Sequence, residues 1–107
     1  MTPYVQVVTT TGSSEQAAEI ALALVSQRLA ACVQVAGPIT SSYHWKGQIE
    51  TSSEWQCVAK TREDLYPRVE EAIRRIHDYE VPEILAVPMV AASASYTGWL
   101  ESELARP

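Results

Sequence analysis

CVQVAGPITSSYHWKGQIETSSEWQCVAKT, residues 32–61, is dominated by Val, Ile, Thr, Ser, Tyr and Trp, the residue types that favour extended backbone. Cys32 to Lys46 reads as one strand and Ile49 to Thr61 as a second, with Gly47 at the turn between them. Trp55, Cys57 and Ala59 alternate onto one face of the second arm. Gly37-Pro38 interrupts the first arm, where a bulge or bend is expected because proline cannot donate to a ladder.

Outward from this hairpin the apolar period changes on both sides. Residues 3–10, PYVQVVTT, read as a strand, and Gly12, Ser13 and Ser14 end it. Ser13 with Gln16 matches a capping box, and Ala17, Ile20, Ala21, Leu24 and Arg28 follow at helical spacing, which predicts an amphipathic helix ending near Ala30. After the hairpin, Leu65, Val69, Ala72, Ile73 and Ile76 predict a second helix. Its first turn holds Pro67, and Glu63 and Asp64 face the positive end of its dipole. ILAVPMV, residues 84–90, reads as a buried strand that Pro88 places at an edge or a bulge. Tyr96, Trp99, Leu100 and Leu104 form the apolar side of a short last helix.

The order β-α-β-β-α-β-α predicts an α+β, ferredoxin-like fold with one added C-terminal helix, a single domain over residues 1–107. Each hairpin arm, at about 15 residues, would reach roughly 50 Å if straight. A compact chain of this size has a radius of gyration near 13 Å. The tip, with Tyr43, Trp45 and Ile49, should therefore overhang its own domain and expose strand edges that soluble proteins cover. A cyclic homo-oligomer would cover them.

Composition narrows the function classes. A net charge of −5, with eight scattered lysines and arginines, offers no basic stripe for a phosphate backbone, so nucleic acid is not expected as a partner. No apolar run reaches the roughly 18 residues of a membrane span, and the N-terminal residues do not read as a signal peptide, so the expected compartment is the cytoplasm. Cys32 and Cys57 suit that compartment as free thiols. With the turn centred on Lys46-Gly47, Cys57 lies opposite Ala36 and Cys32 about 13 Å away along the strand. That is too far for a disulfide, which tolerates about 7 Å between Cα atoms.

Ionisable residues concentrate in RIHDYEVPEI, residues 75–84. His77 can ligate a metal through a neutral imidazole, and Glu83 adds a second donor, too few for a closed site but enough for a weak or intersubunit one. Against this, His77 and Asp78 sit where a helix ends, and Pro82 pushes Val81 towards extended geometry, which suits a turn launching the last strand. Glu80 and Glu83 lack the nucleophile or phosphate loop that an active site would pair with them, so no catalysis is expected. Lys60 and Arg62 could meet an anion in an intersubunit cleft or pair with carboxylates. Tyr43, Trp45, Tyr79 and Trp99 read as packing and interface anchors. His44, between Tyr43 and Trp45, points to the opposite face from both.

LAACVQV (29–35), SYHWKGQIE (42–50), Lys60-Thr61, YEVPEIL (79–85) and YTGWL (96–100) resemble, in order and over essentially the whole chain, the CutA1 divalent-cation tolerance family. The resemblance implies a ferredoxin-like protomer, a homotrimer joined by intermolecular strand pairing, architectural kinship to PII-like signalling proteins, and an association with copper and other divalent cations. It also implies His77 and Glu83 as metal ligands, matching the histidine of the family's HPYE segment and the glutamate of its PE pair. This chain has Asp78 where the family has proline, and Thr9 and Thr10 where some members carry a cysteine. Without that soft donor, the remaining N and O ligands suit Cu(II) or Zn(II) better than Cu(I). The expected function is a non-catalytic, divalent metal (copper) binding protein, with a PII-like small-molecule or nucleotide sensor as the alternative.

Overall fold

The computed structural model describes residues 2–107. β1 (Tyr4–Thr11) leads to α1 (Ser14–Ser26), then to the hairpin of β2 (Cys32–Trp45) and β3 (Gln48–Arg62). A 3₁₀ turn at Glu63–Leu65 runs into α2 (Tyr66–Ile76), followed by β4 (Ile84–Pro88) and α3 (Ala94–Glu103). The strands form one antiparallel sheet in the order β2-β3-β1-β4. The α+β connectivity expected from the sequence is present.

Local chemistry sets the boundaries. Ser13 Oγ accepts the Gln16 N–H at 3.1 Å and starts α1. The Gln16 side chain does not return to Ser13, however. Its amide donates to Ile76 O, and its Oε1 accepts the Asp78 N–H, tying α1 to the end of α2. α1 stops at Ser26, short of Ala30, because Arg28 turns left-handed at φ 59°. Leu29 N–H then reaches Leu24 O and Arg28 N–H reaches Val25 O, the two closing bonds of a Schellman motif. Pro67 occupies the first turn of α2, where its missing N–H costs nothing.

Lys46 and Gly47 both have positive φ, at 51° and 79°, the geometry of a type I′ hairpin turn, and Trp45 pairs with Gln48 across it. The break at Gly37-Pro38, a cis peptide, inserts one extra residue into β2 between Ala36 and Ile39. That bulge changes the register by one. Cys57 therefore pairs with Val35, and not with Ala36 as the uninterrupted count predicts. Cys32 pairs with Lys60, and both cysteines are free thiols. Gly37 is needed at the bulge, since a side chain there would run into the Trp55 indole.

α1 and α2 cover one face of the sheet. Ile20, Leu24, Val69 and Ile73 pack there on Val5, Val7 and Ala59 to form the core. α3 closes the far end, adding Leu100 and Leu104. Arg62, whose side chain is only 8% exposed, ties that end together: it bonds Asp64 at 2.6 Å, Glu101 at 2.8 Å and Ala105 O at 2.7 Å.

β1 pairs with β3 only from Trp55 onward, so among the described residues the hairpin from Ile39 to Glu54 runs on with no third strand beside it. The molecule is accordingly elongated, 45 × 25 × 22 Å. The expected overhang is real. β4 corrects the reading of 84–90 as a buried strand: it ends at Pro88, and as the sheet's outer strand it leaves Leu85 and Val87 each 42% exposed in the single chain. The apolar run reported burial accurately only if something covers that face.

Candidate functional site

The sheet face away from α1 and α2 carries the site. Paired residues of antiparallel strands share a face, so Thr10, Gln56, Glu54, Ile39, Ser41, Tyr43 and Trp45 lie on the same side. The loop after α2, residues 77–83, folds over the edge of this surface. Between loop and hairpin opens a cleft of about 670 Å³, lined by Thr10, Ser41, Ser42, Tyr43, Trp45, Glu54, Asp78, Tyr79, Glu80, Val81 and Glu83.

Four short contacts place the loop. His77 caps α2, and its Nε2–H donates to Thr10 O at 2.7 Å. Its Nδ1 accepts the Tyr79 N–H at 3.2 Å, which fixes the ring proton on Nε2. The His77 and Tyr79 rings lie 4.8 Å apart. Tyr79 then reaches across the cleft, and its hydroxyl donates to Glu54 Oε2 at 2.7 Å. Burial first, then the hydrogen bond and charge of Glu54, push the Tyr79 phenol far above its ordinary range, so it remains a donor. Gly12 leaves room for this phenol, which a β-carbon there would crowd at 3.2 Å.

The cleft is acidic and aromatic. Glu54, Asp78, Glu80 and Glu83 line it, none of them in an ion pair among the described residues, and no lysine, arginine or histidine shares the lining. Glu83 is at this surface. His77 stands behind it with both ring nitrogens engaged, so the loop keeps the two neighbours without presenting both to the same space. Among the described residues no three His, Cys, Asp or Glu side chains converge on one metal-sized point.

The remaining sequence candidates fall elsewhere. Lys60 donates to Gln34 Oε1 at 2.8 Å, and Arg62 is filled by its carboxylate and carbonyl partners; neither lines the cleft. Tyr43 and Trp45 are cleft walls, with Tyr43 Oη 3.1 Å from Ser52 Oγ. Trp99 lies on α3, against a separate shallow groove with Val25 and Arg28. Glu54 is the residue that sequence reading missed. The only signal was an acidic residue embedded in a strand beside Trp55, with nothing local to say which face it takes.

By sequence the chain belongs to the CutA1 divalent ion tolerance protein family, whose model matches residues 5–103. It is 39% identical over 94 residues to the divalent-cation tolerance protein CutA of Thermus thermophilus, covering 88% of this chain and 91% of that one. It is 45% identical over 84 residues to mouse Protein CutA, covering 78% of this chain and 48% of that longer protein. Among solved structures, CutA1 of Oryza sativa superposes with a TM-score of 0.95 at 32% identity, over 98% of this chain and 96% of that one. A protein of Archaeoglobus fulgidus described as periplasmic divalent cation tolerance protein CutA superposes at 0.91 with 31% identity, over 94% and 97% of the two chains. Relatives are thus described as periplasmic or, in plants, chloroplastic. Among the described residues no helix is long and apolar enough to cross a membrane.

Proposed function

We propose that this chain is a non-catalytic, homotrimeric protein that binds divalent cations, Cu(II) among them, through the acidic cleft. The observation that carries this is the set of four lining carboxylates with no cationic counterpart. Such a concavity raises the local concentration of cations. Because no three donors converge among the described residues, the metal is cargo held between subunits, with Glu83 as an accessible oxygen donor. His77 supports the reading in a second way. Histidine ligands characteristically donate their other ring N–H to a carbonyl, as Nε2 does here to Thr10, and Nδ1 becomes available when the Tyr79 N–H moves off it.

The trimer is supported by what one chain leaves uncovered: the overhanging hairpin and the apolar residues Leu85, Val87, Tyr43 and Trp45 on the open face. Light scattering should give three times the 11.8 kDa of one chain. Calorimetry with Cu(II) should show affinity falling on His77→Ala and on Glu83→Gln. Unchanged affinity in both variants removes them as ligands, and a monomer in solution removes the shared site. The two unpaired thiols support a cytoplasmic setting.

A second reading, a PII-like small-molecule sensor, draws on the volume and aromatic walls of the same cleft. It does not draw on Lys60 and Arg62, which do not line this cleft.

A further inference from the structure

Neither ring nitrogen of His77 is free. Nε2–H donates to Thr10 O at 2.7 Å, and the Nδ1 lone pair accepts the Tyr79 N–H at 3.2 Å. One imidazole lone pair cannot hold an N–H and a metal at once. Any cation that takes Nδ1 must therefore displace the Tyr79 N–H.

The two sides of the ring are held differently. On the helix side the Gln16 side chain, itself buried, donates to Ile76 O and accepts the Asp78 N–H, so the backbone just before and just after His77 is pinned to α1. His77 N–H is bonded to Ile73 O at 2.9 Å. The next rotations along the chain, about the Asp78 Cα, swing the Tyr79 N–H on or off Nδ1. Beyond them, among the described residues, the segment from Tyr79 to Glu83 is tied to the rest of the fold by one other hydrogen bond, from the Tyr79 hydroxyl to Glu54 Oε2 at 2.7 Å. Glu54 belongs to β3, so its carboxylate is a fixed anchor. While that bond is made, the Tyr79 backbone is held over His77, with the two rings 4.8 Å apart.

We propose that the Tyr79–Glu54 hydrogen bond is a latch that masks the Nδ1 donor of His77, so that a divalent cation reaches His77 only after Tyr79 lets go of Glu54. This rests on the reading of His77 as a metal ligand, and adds to it a gate outside the ligand set. A cation that binds only the unlatched chain has its affinity lowered in proportion to the fraction unlatched. Weakening the latch should therefore strengthen binding, the opposite of what losing a structural contact does to a preformed site.

The test uses the full chain in its native assembly, freed of metal by chelator. Tyr79→Phe removes the hydroxyl and leaves every carboxylate in place, so a change in cation binding is not a change in charge. In nitrogen-15 NMR its His77 Nδ1 resonance should move towards that of an unbonded imidazole nitrogen, while the His44 signals stay where they are. Calorimetry with Cu(II) should show Tyr79→Phe binding roughly tenfold or more tightly than the parent, the scale of one hydrogen bond to a charged group. The gain should vanish when His77→Ala is added. Gln16→Met, which loosens the pinned side and leaves the latch made, should not tighten binding. Should Tyr79→Phe fail to fold, Gly12→Ala places a β-carbon 3.2 Å from the phenol oxygen, crowding it off Glu54, and carries the same expectations. An unmoved Nδ1 resonance, or binding no tighter in the unlatched variant while His77→Ala still weakens the parent, overturns the gate and leaves the metal reading standing. Equal tightening in Gln16→Met reduces the effect to a loosened loop and also overturns it. If His77→Ala changes binding in neither background, the metal reading falls and the gate falls with it.

Discussion

Tyr79 and Glu54, 25 positions apart in sequence, meet through a 2.7 Å hydrogen bond that joins the loop after α2 to the overhanging part of β3. The bond supplies the Glu54 carboxylate with a donor and fixes one wall of the cleft. Tyr79→Phe removes the donor and leaves the charge. Hydrogen bonds to charged groups contribute about 1.5–3 kcal/mol, so urea denaturation should show a loss of that size. A Tyr79→Phe/Glu54→Gln double-mutant cycle should show that the two changes are not additive.

Arg62 holds α3 to the sheet as Tyr79 holds the loop. Its guanidinium is buried while Asp64 and Glu101 remain half in water, which moderates the effect of losing it. Arg62→Ala should destabilise the fold by about 2–3 kcal/mol. Hydrogen exchange should quicken in α3 before it does in α1 or α2, because two tethers of that helix and its C-terminal extension, Glu101 and Ala105 O, end on this one side chain.

High pH should weaken the protein through a thiol. Cys57, packed against Ala17 O on the core face, is pushed by burial up to about 11 from an ordinary 9.0. The folded state keeps this proton where the unfolded chain releases it. The stabilisation is therefore complete below pH 9 and is lost as pH rises through about 11, on the order of 2–3 kcal/mol. Tyr4, through its bond to Glu101 and then burial, and Tyr66 and Tyr96, first by burial, are raised as well and extend the loss to higher pH. Urea midpoints should stay flat to about pH 8.5 and then fall, and Cys57→Ala should flatten the first part of that decline.

The sequence revealed elements that announce themselves locally. Gly47 with an adjacent Lys46 marked the turn, Ser13 marked a helix start, and Pro67 marked a first turn, because in each case neighbouring residues carry the whole signal. The overhang was also legible, since arm length and chain length suffice to derive it. Local signals did not reach the cleft. Whether Glu54 faces helices or open surface depends on the register of three strands, and its meeting with Tyr79 depends on a loop set by Gln16 and Thr10 from the other end of the chain. For the same reason His77 and Glu83 looked like an equivalent pair in sequence, whereas the fold turns one inward onto a carbonyl and the other out to the cleft.

The single extra residue at Gly37-Pro38 works as a phase shifter for the hairpin. Ahead of it, Gln34 and Ala36 share the open face with even-numbered residues of β3; beyond it, Ile39, Ser41, Tyr43 and Trp45 take over that side. In an unbroken strand, alternation would carry Ser42 and His44 to that face and turn both aromatic rings away. That wall would then carry an imidazole in place of the phenol and the indole. The chemical character of the site is thus written less in the residues of the tip than in whether the chain counts an odd or an even number of steps to reach them.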